Sequence, residues 1–344
     1  MIKLNNKINI SYKEEPKIIA EISGNHGGSK KKFLKLIKSA CLNGADLIKI
    51  QTYEPKDITL NYNYGKFVIK EGVWKNQNLW NLYKKACTPF SWHKEAFELA
   101  KKYKKIIFSS PFSIRAVNLL ENLGCKIYKI ASFEITDVKL IDYIASKKKP
   151  IIISTGMANL KEIKRAINII EKYHSKITIL HCVSSYPTKL ENINLQRIEI
   201  LKKKFPKYLI GLSDHTDDIY SSIVATQLGV AVIEKHFKIN NFDKTADSSF
   251  SLTPEKLRAL KDITFKISKS KKKINKNVEN ISFNLRRSIF AKDSVKKNQK
   301  ITKDNIESLR PLIGICASKY FNIIGKKTRK NIKKGDPIFS KDLI

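Results

Sequence analysis

Two apolar runs in the second half of the chain each carry side chains that can do chemistry. The first carries Ser213 and His215, and the second, further along, carries Glu234 and His236. Side chains alternate between the two faces of a β-strand, so the two polar residues of each run share one face. If the strands are neighbours in a barrel, both imidazoles converge at one mouth, with a hydroxyl and a carboxylate below them. This pattern predicts a divalent-metal site with coordination positions left open for substrate.

A histidine on an apolar strand is usually a satisfied core residue, so the histidine pair needs further support. That support comes from other apolar runs, which also end in polar side chains. Their ends carry Glu21, Lys49, Gln51, Ser109, Ser110, Lys129, Ser132, Ser154, Thr155 and His181. A lysine in such a position is costly to bury without an anionic partner. Two lysines among several hydroxyls therefore favour a site for a phosphate and a carboxylate.

The alternation of apolar runs with amphipathic helical patterns predicts the elements that position these side chains. The eight runs that we read as strands are Lys17–Glu21, Ala45–Gln51, Ile106–Pro111, Ile127–Glu134, Pro150–Gly156, Ile177–Cys182, Ile210–Thr216 and Val232–Phe237. Continuous Ile and Val runs are typical of parallel strands buried on both faces. We therefore predict an α/β fold, a (β/α)8 TIM barrel, whose chemistry lies at the C-terminal ends of the strands.

Two segments fall outside this repeat. Residues 52–92 form a long aromatic-rich insertion, which either caps the barrel mouth and shapes a sugar pocket or forms a satellite hydrophobic cluster. Residues 269–283 are rich in lysine and asparagine and poor in apolar residues, which is typical of a linker. We predict a barrel domain over 1–268, this linker, and a small domain over 284–344.

The composition limits the classes of partner. The net charge is +36, but the lysines are spread over many helices, with few arginines and no interleaved aromatics. We interpret them as solvated helix surfaces that favour anionic small substrates, and we expect no nucleic-acid partner. No stretch approaches a membrane span or a signal sequence, so we expect a soluble cytoplasmic protein without membrane contact. The five cysteines lack paired metal-type spacing and are expected to be reduced thiols.

The polar strand ends fall in motifs that together are highly specific. These motifs are Glu21-Ile-Ser-Gly-Asn-His, Lys49-Ile-Gln, Ser109-Ser-Pro-Phe, Lys129-Ile-Ala-Ser, Ser154-Thr-Gly, His181-Cys-Val-Ser-Ser-Tyr-Pro, Gly211-Leu-Ser-Asp-His-Thr and Glu234-Lys-His-Phe. With them the chain resembles the sialic acid synthase family, which condenses phosphoenolpyruvate with an amino-sugar aldehyde to make nine-carbon keto acids. The resemblance covers essentially the whole length and implies that the small domain is an antifreeze-like (SAF) domain.

Within the family, further motifs are most similar to the branch that makes pseudaminic acid. They are Gly72-Val-Trp-Lys, Leu79-Trp-Asn-Leu-Tyr, Thr88-Pro-Phe-Ser-Trp-His, Ala131-Ser-Phe-Glu-Ile-Thr-Asp and Asp247-Ser-Ser-Phe-Ser-Leu. The chain departs from that branch at Thr245-Ala246, where Gly-Pro is usual, and at Cys87, where a histidine is common. These departures leave the sugar specificity open, and a sialic or legionaminic acid synthase is the near alternative.

The resemblance implies a role for each candidate residue. His215 and His236 are expected to hold a divalent metal, Mn²⁺ or Mg²⁺, that polarises the sugar aldehyde. The expected substrate-binding residues are Lys49, Gln51, Ser110, Lys129, Ser132, Ser154, Tyr186, Ser213 and Arg310. The candidates for proton transfer and sugar contacts, which the sequence does not rank, are Glu21, Glu134, Glu234 and Asp247. Arg310 is expected to reach from one subunit's small domain into the partner's barrel, in a domain-swapped homodimer.

The expected reaction is an attack of C3 of phosphoenolpyruvate on the aldehyde carbon, which leaves an oxocarbenium ion at C2. Water then adds at C2, and phosphate leaves by C–O cleavage. An aldolase with a Schiff-base lysine would use Lys49 or Lys129 but would not need the histidine pair or a second domain. A basic barrel that binds nucleic acid is the remaining alternative from a different class. Metal dependence separates the synthase from the aldolase.

Overall fold

The computed structural model describes residues 1–72, 74–271 and 276–344. Val73 of the predicted insertion and residues 272–275 of the predicted linker lie outside the described residues. The chain forms two compact units, Met1–Lys271 and Lys272–Ile344. Among the helices of the described residues, none combines the length and the apolar character that crossing a membrane requires.

The first unit is a closed barrel of parallel strands preceded by a small antiparallel pair, β1 (Ile2–Lys3) with β2 (Asn9–Ile10). The barrel strands are β3 (Lys17–Glu21), β4 (Leu47–Thr52), β5 (Ile106–Pro111), β6 (Tyr128–Ile130), β7 (Ile151–Ser154), β8 (Ile177–Cys182), β9 (Leu209–Asp214) and β10 (Val232–His236). Strand β10 pairs with both β3 and β9, which closes the barrel. The prediction of a TIM barrel is confirmed.

Helices alternate with the strands around the barrel. They are α1 (Lys30–Leu42), α2 (Leu79–Ala86), α3 (His93–Lys102), α4 (Ile114–Asn122), α5 (Val138–Ser146), α6 (Leu160–Glu171), α7 (Gln196–Lys204), α8 (Tyr220–Gln227) and α9 (Pro254–Ser270). Several begin at a short polar residue whose side chain accepts a hydrogen bond from a free backbone N–H of the first turn. These caps are Ser29, Asn78, Ser113, Asp137 and Asn159.

The barrel strands are buried almost throughout, because the inner face fills the barrel and the outer face packs against the helices. The predicted fourth strand is wrong in length. The ladder there ends at Ile130, and residues Ser132–Glu134 form a 3-10 turn instead. The Ser132 hydroxyl accepts a hydrogen bond from the backbone N–H of Gly156 at 3.1 Å. That contact ties the turn to the loop after the next strand and brings its side chains to the barrel mouth.

The second unit contains α10 (Asn280–Asn284), an antiparallel pair of β11 (Ser288–Ala291) with β12 (Ile306–Leu309), and α11 (Tyr320–Ile323). It has its own apolar core, which includes Ile289, Ile301 and Ile338, each with no exposed surface. Turns lie at Lys297-Asn298 and Lys334-Gly335, with φ of 65° at Asn298 and 86° at Gly335. Asparagine and glycine suit these left-handed positions because they tolerate positive φ.

Candidate active site at the barrel mouth

A cavity of about 470 Å³ lies at the C-terminal ends of the barrel strands. Of the residues that the sequence predicts as functional, those that line it are Lys49, Gln51, Lys129, Ser132, Glu134, Ser154, Tyr186, Ser213, His215, Glu234, His236 and Asp247. Glu21 and Ser110 are buried in the strands. Arg310 is an exposed residue of the second unit. The strand-end pattern thus brings together side chains from all parts of the first unit.

At the bottom of the cavity, two lysines meet two carboxylates. Lys49 Nζ lies 2.6 Å from Glu21 Oε2 and 2.9 Å from Glu234 Oε1, and Glu234 also accepts a hydrogen bond from the Ser213 hydroxyl at 3.1 Å. Burial would raise the pKa of Glu234, but the ammonium groups of Lys129 and Lys49 outweigh it and hold the pKa at about 2. Burial also lowers the pKa of Lys49 to about 8, against the attraction of Glu234. Glu234 is therefore an ionised anchor that fixes Lys49.

A group of hydroxyls faces the second lysine. Lys129 Nζ donates a hydrogen bond to the Ser154 hydroxyl at 2.6 Å and lies 3.9 Å from Glu234 Oε1. The hydroxyls of Ser110 and Ser184 are buried and have no hydrogen-bond partner among the described residues. A buried hydroxyl without a partner is costly unless a ligand satisfies it. Lys129, Ser132 and Ser154 line the cavity, with Ser184 beside Ser132, and they form a cradle suited to a phosphate or carboxylate.

Ser184 is a residue that sequence reasoning did not select, although it stands in the motif after β8. A Cβ atom on Gly156 would lie 2.1 Å from the Ser184 hydroxyl oxygen and 2.9 Å from that of Ser132. No side chain fits there without displacing both hydroxyls. Glycine at this position therefore allows the loop backbone to come close to the two serines. In the sequence, the Ser154-Thr-Gly motif marks this close approach.

The two imidazoles lie side by side, with ring centroids 5.4 Å apart. Nδ1 of His215 lies 2.9 Å from the carbonyl oxygen of Val183. A carbonyl can only accept, so Nδ1 carries the proton and Nε2 is left free to bind a metal. Nδ1 of His236 has no hydrogen-bond partner among the described residues. The rings of Tyr186 and Phe250 pack around the pair.

These two nitrogen donors fit a divalent cation. Among the described residues, no group of three or more His, Cys, Asp or Glu side chains is arranged to hold a metal. A cation here would therefore have His215 and His236 as its protein ligands, with the other positions left for water and substrate oxygens. Such an open site is expected to bind metal modestly and to suit a catalytic rather than a structural role.

Cys182 is a second residue that sequence reasoning did not place in the site. Its Sγ lies 3.8 Å from Nδ1 of His215, and the residue lines the cavity. Burial would raise the pKa of the thiol, but the neighbouring imidazole outweighs it and lowers the pKa to about 7. The sulfur lies on the Nδ1 side of the ring, where it supports the orientation of His215.

Two further carboxylates differ in their surroundings. Asp247 Oδ2 accepts hydrogen bonds from the Ser23 hydroxyl at 2.5 Å and from the backbone N–H of Gly24 at 3.0 Å. Glu134 Oε2 is buried and has no hydrogen-bond partner among the described residues. Burial raises the pKa of Glu134 to about 7, although Lys129 opposes the shift. Glu134 can therefore exchange a proton near neutral pH, which sets it apart from the lysine-bound Glu234.

The insertion supplies an apolar wall to the cavity. The wall consists of Tyr53, Ile58, Ile69, Trp74, Leu79, Leu82, Tyr83 and Ala86, with Phe112 beyond the insertion. Trp74 Nε1 donates a hydrogen bond to the carbonyl of Ala246 at 3.1 Å, which links the insertion to the loop after β10. Tyr62, Tyr64 and Phe67 form a separate aromatic group away from the cavity. The insertion therefore lines the cavity with some of its residues and forms a separate aromatic cluster with others.

The two departures from the pseudaminic acid branch lie beside the cavity. The Thr245 hydroxyl donates a hydrogen bond to the side-chain oxygen of Asn25 at 2.6 Å, which holds the loop after β10 against the loop after β3. Cys87 is half-buried and donates to the carbonyl of Lys84 at 3.4 Å.

His181, at the end of β8, makes a 2.7 Å contact with the carbonyl of Ile193 and behaves as a core histidine.

The chain is similar over most of its length to known proteins of one family. The NeuB family model matches residues 36–276, and the SAF domain model matches residues 286–344. The pseudaminic acid synthase of Helicobacter pylori is 41% identical over 343 residues, which are 96% of this chain and 98% of that protein. The N,N'-diacetyllegionaminic acid synthase of Campylobacter jejuni is 36% identical over 330 residues, which are 93% of this chain and 98% of that protein.

A solved structure extends the agreement to the fold. The N-acetylneuraminic acid synthetase of Leptospira borgpetersenii, in complex with citrate, is 30% identical with a TM-score of 0.72, over 81% of this chain and 95% of that chain. The resemblance that the strand-end motifs indicate is thereby confirmed. A barrel that matches the family model over most of its length, followed by a SAF domain, leads to one assignment: the chain belongs to the NeuB family.

Proposed function

We propose that this chain makes pseudaminic acid by condensing phosphoenolpyruvate with 2,4-diacetamido-2,4,6-trideoxy-L-altrose. The reaction releases phosphate by C–O cleavage and gives a nine-carbon keto acid. The observation that carries the proposal is one cavity that joins a lysine–hydroxyl cradle, a pair of imidazoles and an apolar wall. Each part suits one component of the reaction: the cradle suits the anionic substrate, the imidazoles suit a cation that would polarise the aldehyde, and the wall suits the deoxygenated sugar.

Phosphoenolpyruvate is expected to bind in the lysine–hydroxyl cradle. Its phosphate and carboxylate can accept hydrogen bonds from Lys129 and from the hydroxyls of Ser132, Ser154 and Ser184, which include an unpaired buried donor. Charge-assisted hydrogen bonds of this kind are stronger than neutral ones. Lys49 is held by Glu21 and Glu234 and adds a second positive charge at the base of the cradle.

The imidazoles would hold the cation beside this cradle. A divalent metal bound to His215 and His236 would polarise the aldehyde oxygen as a Lewis acid. The chain contributes the orientation of both rings, through the Val183 carbonyl and the packing of Tyr186 and Phe250. The proposed site thus orients the aldehyde carbon towards C3 of phosphoenolpyruvate.

The reaction needs two proton movements, and the structure favours one carboxylate for them. The bond from C3 to the aldehyde carbon converts the aldehyde oxygen into a hydroxyl, which must gain a proton. Water that adds to the oxocarbenium ion at C2 must lose one before the bond to phosphate breaks. Glu134 is the carboxylate whose pKa, at about 7, allows both transfers. We therefore propose Glu134 as the general acid–base, with Asp247 as a contact for sugar hydroxyls.

The apolar wall supports a sugar with few free hydroxyls. A 6-methyl group and the methyl groups of two acetamido substituents can be buried against Ile58, Ile69 and Leu79 without loss of hydrogen bonds. N-acetylmannosamine would instead place hydroxyls there, and a hydroxyl buried without a partner is unfavourable. The wall therefore favours the pseudaminic acid precursor over the sialic acid precursor.

Phosphate release from phosphoenolpyruvate against a panel of sugars tests this function. We expect turnover of the 2,4-diacetamido-2,4,6-trideoxy-L-altrose and poor turnover of N-acetylmannosamine. Ile69→Asn should raise KM for the preferred sugar by about tenfold and leave KM for phosphoenolpyruvate unchanged, because one apolar contact is replaced by a polar group. Leu60→Asn is the matched control, since Leu60 belongs to the same insertion but is exposed outside the cavity.

The panel also separates the alternatives. Preference for N-acetylmannosamine would move the chain to the sialic acid synthases, and preference for the precursor of legionaminic acid would move it to the legionaminic acid synthases. The relative from Campylobacter jejuni makes the second outcome the stronger competitor. If a sugar is converted while no phosphoenolpyruvate is consumed and no phosphate is released, the proposed C–O cleavage is excluded.

We also propose that the chain acts as a domain-swapped homodimer, with the small domain over 284–344 completing the site of the partner. Arg310 is exposed, and its guanidinium suits an anionic or hydroxylated target. A mixture of Arg310→Ala chains and His236→Ala chains should recover part of the activity that each variant loses, because mixed dimers contain one intact composite site. A mixture that stays as inactive as its parents, after subunit exchange is verified by mass, would show that Arg310 does not act across the dimer.

A further inference from the structure

Behind the two imidazoles, on the opposite face of the same strands, lies a buried ion pair. Asp214 precedes His215, and Lys235 precedes His236. Asp214 and Lys235 are also direct partners in the ladder between β9 and β10. Neither residue has exposed surface, and Lys235 Nζ lies 3.4 Å from Asp214 Oδ1. Because side chains alternate along a strand, this pair points away from the cavity while the imidazoles point into it.

Both oxygens of the Asp214 carboxylate accept hydrogen bonds. Oδ1 accepts hydrogen bonds from the backbone N–H and the hydroxyl of Thr216, at 2.9 and 2.8 Å. Oδ2 accepts hydrogen bonds from the hydroxyls of Ser221 and Ser222, both at 2.6 Å. Thr216 follows His215 directly, and the two serines stand in the first turn of α8. The carboxylate therefore fixes the backbone on both sides of His215 and ties it to a helix.

The ammonium group of Lys235 completes this arrangement from the neighbouring strand. It donates hydrogen bonds to the carbonyls of Thr216 at 2.6 Å and of Asp218 at 2.8 Å, in addition to the pairing with Asp214. The end of β10, just before His236, is thereby joined to the segment that follows His215. The positions of the two imidazoles are thus coupled through a single hydrogen-bonded cluster.

Fold stability gives little reason for a charged pair at this place. The preceding residues on the same outer face of the two strands are Leu212 and Ile233, which pack without exposed surface. A buried ion pair is often no more stabilising than apolar residues of similar volume, because both charges lose their hydration. What the pair provides, and an apolar pair does not, is a set of directional bonds to the backbone beside both histidines.

We propose that Asp214 and Lys235 are positioning residues that hold His215 and His236 at the separation and angle that a divalent cation requires. This inference rests on the proposed role of the two histidines as metal ligands. Outer groups that orient metal-binding side chains commonly change metal affinity by 10- to 100-fold when they are removed. The pair acts on the two histidines that follow it in the chain, whereas Lys129 and Ser154 of the phosphoenolpyruvate cradle lie on β6 and β7.

The test compares Mn²⁺ affinity, followed by the electron paramagnetic resonance of free Mn²⁺, in four variants of the full chain. Asp214→Asn combined with Lys235→Met removes both charges without leaving either one buried alone. We expect it to bind Mn²⁺ about 10- to 100-fold more weakly than the wild type. Its phosphoenolpyruvate affinity, measured by calorimetry, should change by less than about twofold. Its kcat should be closer to that of the wild type at saturating Mn²⁺ than at limiting Mn²⁺.

Three further variants keep the test decisive. Ser222→Ala removes one donor to Asp214 and should weaken Mn²⁺ binding several-fold even if the paired variant does not fold. Asp46→Asn is the structural control, because Asp46 accepts from the backbone N–H of Ile18 and pairs with Lys261 at the other end of the barrel. It should lower the melting temperature without a change in Mn²⁺ affinity. His236→Ala should lose specific Mn²⁺ binding.

Two outcomes would contradict the inference. If Ser222→Ala and the paired variant bind Mn²⁺ within about twofold of the wild type while His236→Ala loses binding, the positioning role alone is overturned. Unchanged Mn²⁺ binding in His236→Ala would overturn the metal assignment itself, and the positioning role with it.

Discussion

Replacement of His236 by alanine is expected to lower turnover by roughly a thousandfold, because the site then has a single protein ligand for the cation. Lewis-acid stabilisation by a bound metal is worth several kcal/mol, which corresponds to a loss of about this size. Chelation of the wild type with EDTA should give the same loss. Mn²⁺ or Mg²⁺ should restore the chelated wild type but not the variant. Phosphate release measured with both substrates saturating is the appropriate assay.

The chain offers a matched control for this experiment. His181 is also a buried histidine at the end of a barrel strand, but it contacts the carbonyl of Ile193 and does not line the cavity. His181→Asn should therefore keep the metal dependence of the wild type, even if it lowers stability. Full activity of His215→Ala in the presence of EDTA would contradict the metal assignment.

Replacement of Glu134 by glutamine is expected to lower kcat by about 10²- to 10⁴-fold, the range typical of a lost general acid–base. The fold should remain intact, because glutamine has the same shape and Glu134 Oε2 has no hydrogen-bond partner to lose among the described residues. In the wild type, kcat/KM should fall as pH rises through about 7, where the carboxyl group loses the proton that it donates to the aldehyde oxygen. That limb of the pH profile should be missing from the residual activity of the variant.

The same substitution, Glu134→Gln, should lower activity but raise the free energy of unfolding above neutral pH. The pKa of Glu134 is raised from 4.5 to about 7 in the folded chain, so the folded state holds its proton more tightly than the unfolded state. Stability is therefore lost as pH rises through this interval, since ionisation favours unfolding. At pH 8, Glu134→Gln should be more stable than the wild type by about 1–3 kcal/mol, and at pH 4 the difference should vanish.

Thermal melts at the two pH values and a pH–rate profile measure both effects together. Glu98→Gln, on the exposed face of α3, is the control and should change neither quantity. Wild-type kcat in Glu134→Gln would remove Glu134 from the mechanism and return the assignment to Asp247 or Glu21. A lower melting temperature for the variant at pH 8 would show that the carboxylate is stabilised by its surroundings and not strained by burial.

The sequence alone was sufficient for the barrel and for most of the residues at its mouth. Strands have a period of two, so Ser213 with His215 and Glu234 with His236 had to share a face once the runs were recognised as strands. Repetition of strand and helix then placed their C-terminal ends at one mouth. The length of the fourth strand was misjudged, because Ser132–Glu134 turn off the ladder through a contact with Gly156, far along the chain.

Only the tertiary structure distinguishes the surroundings of the carboxylates at the mouth. Glu234 is held ionised by Lys49, a residue 185 positions away in sequence, whereas Glu134 is buried without a hydrogen-bond partner among the described residues. No local pattern distinguishes these two environments, since a pKa depends on distances and burial set by the closed barrel. The same reason applies to Ser184, Cys182 and the outer pair of Asp214 with Lys235. Their neighbours are fixed by strand order and register, and these exist only once the barrel has closed.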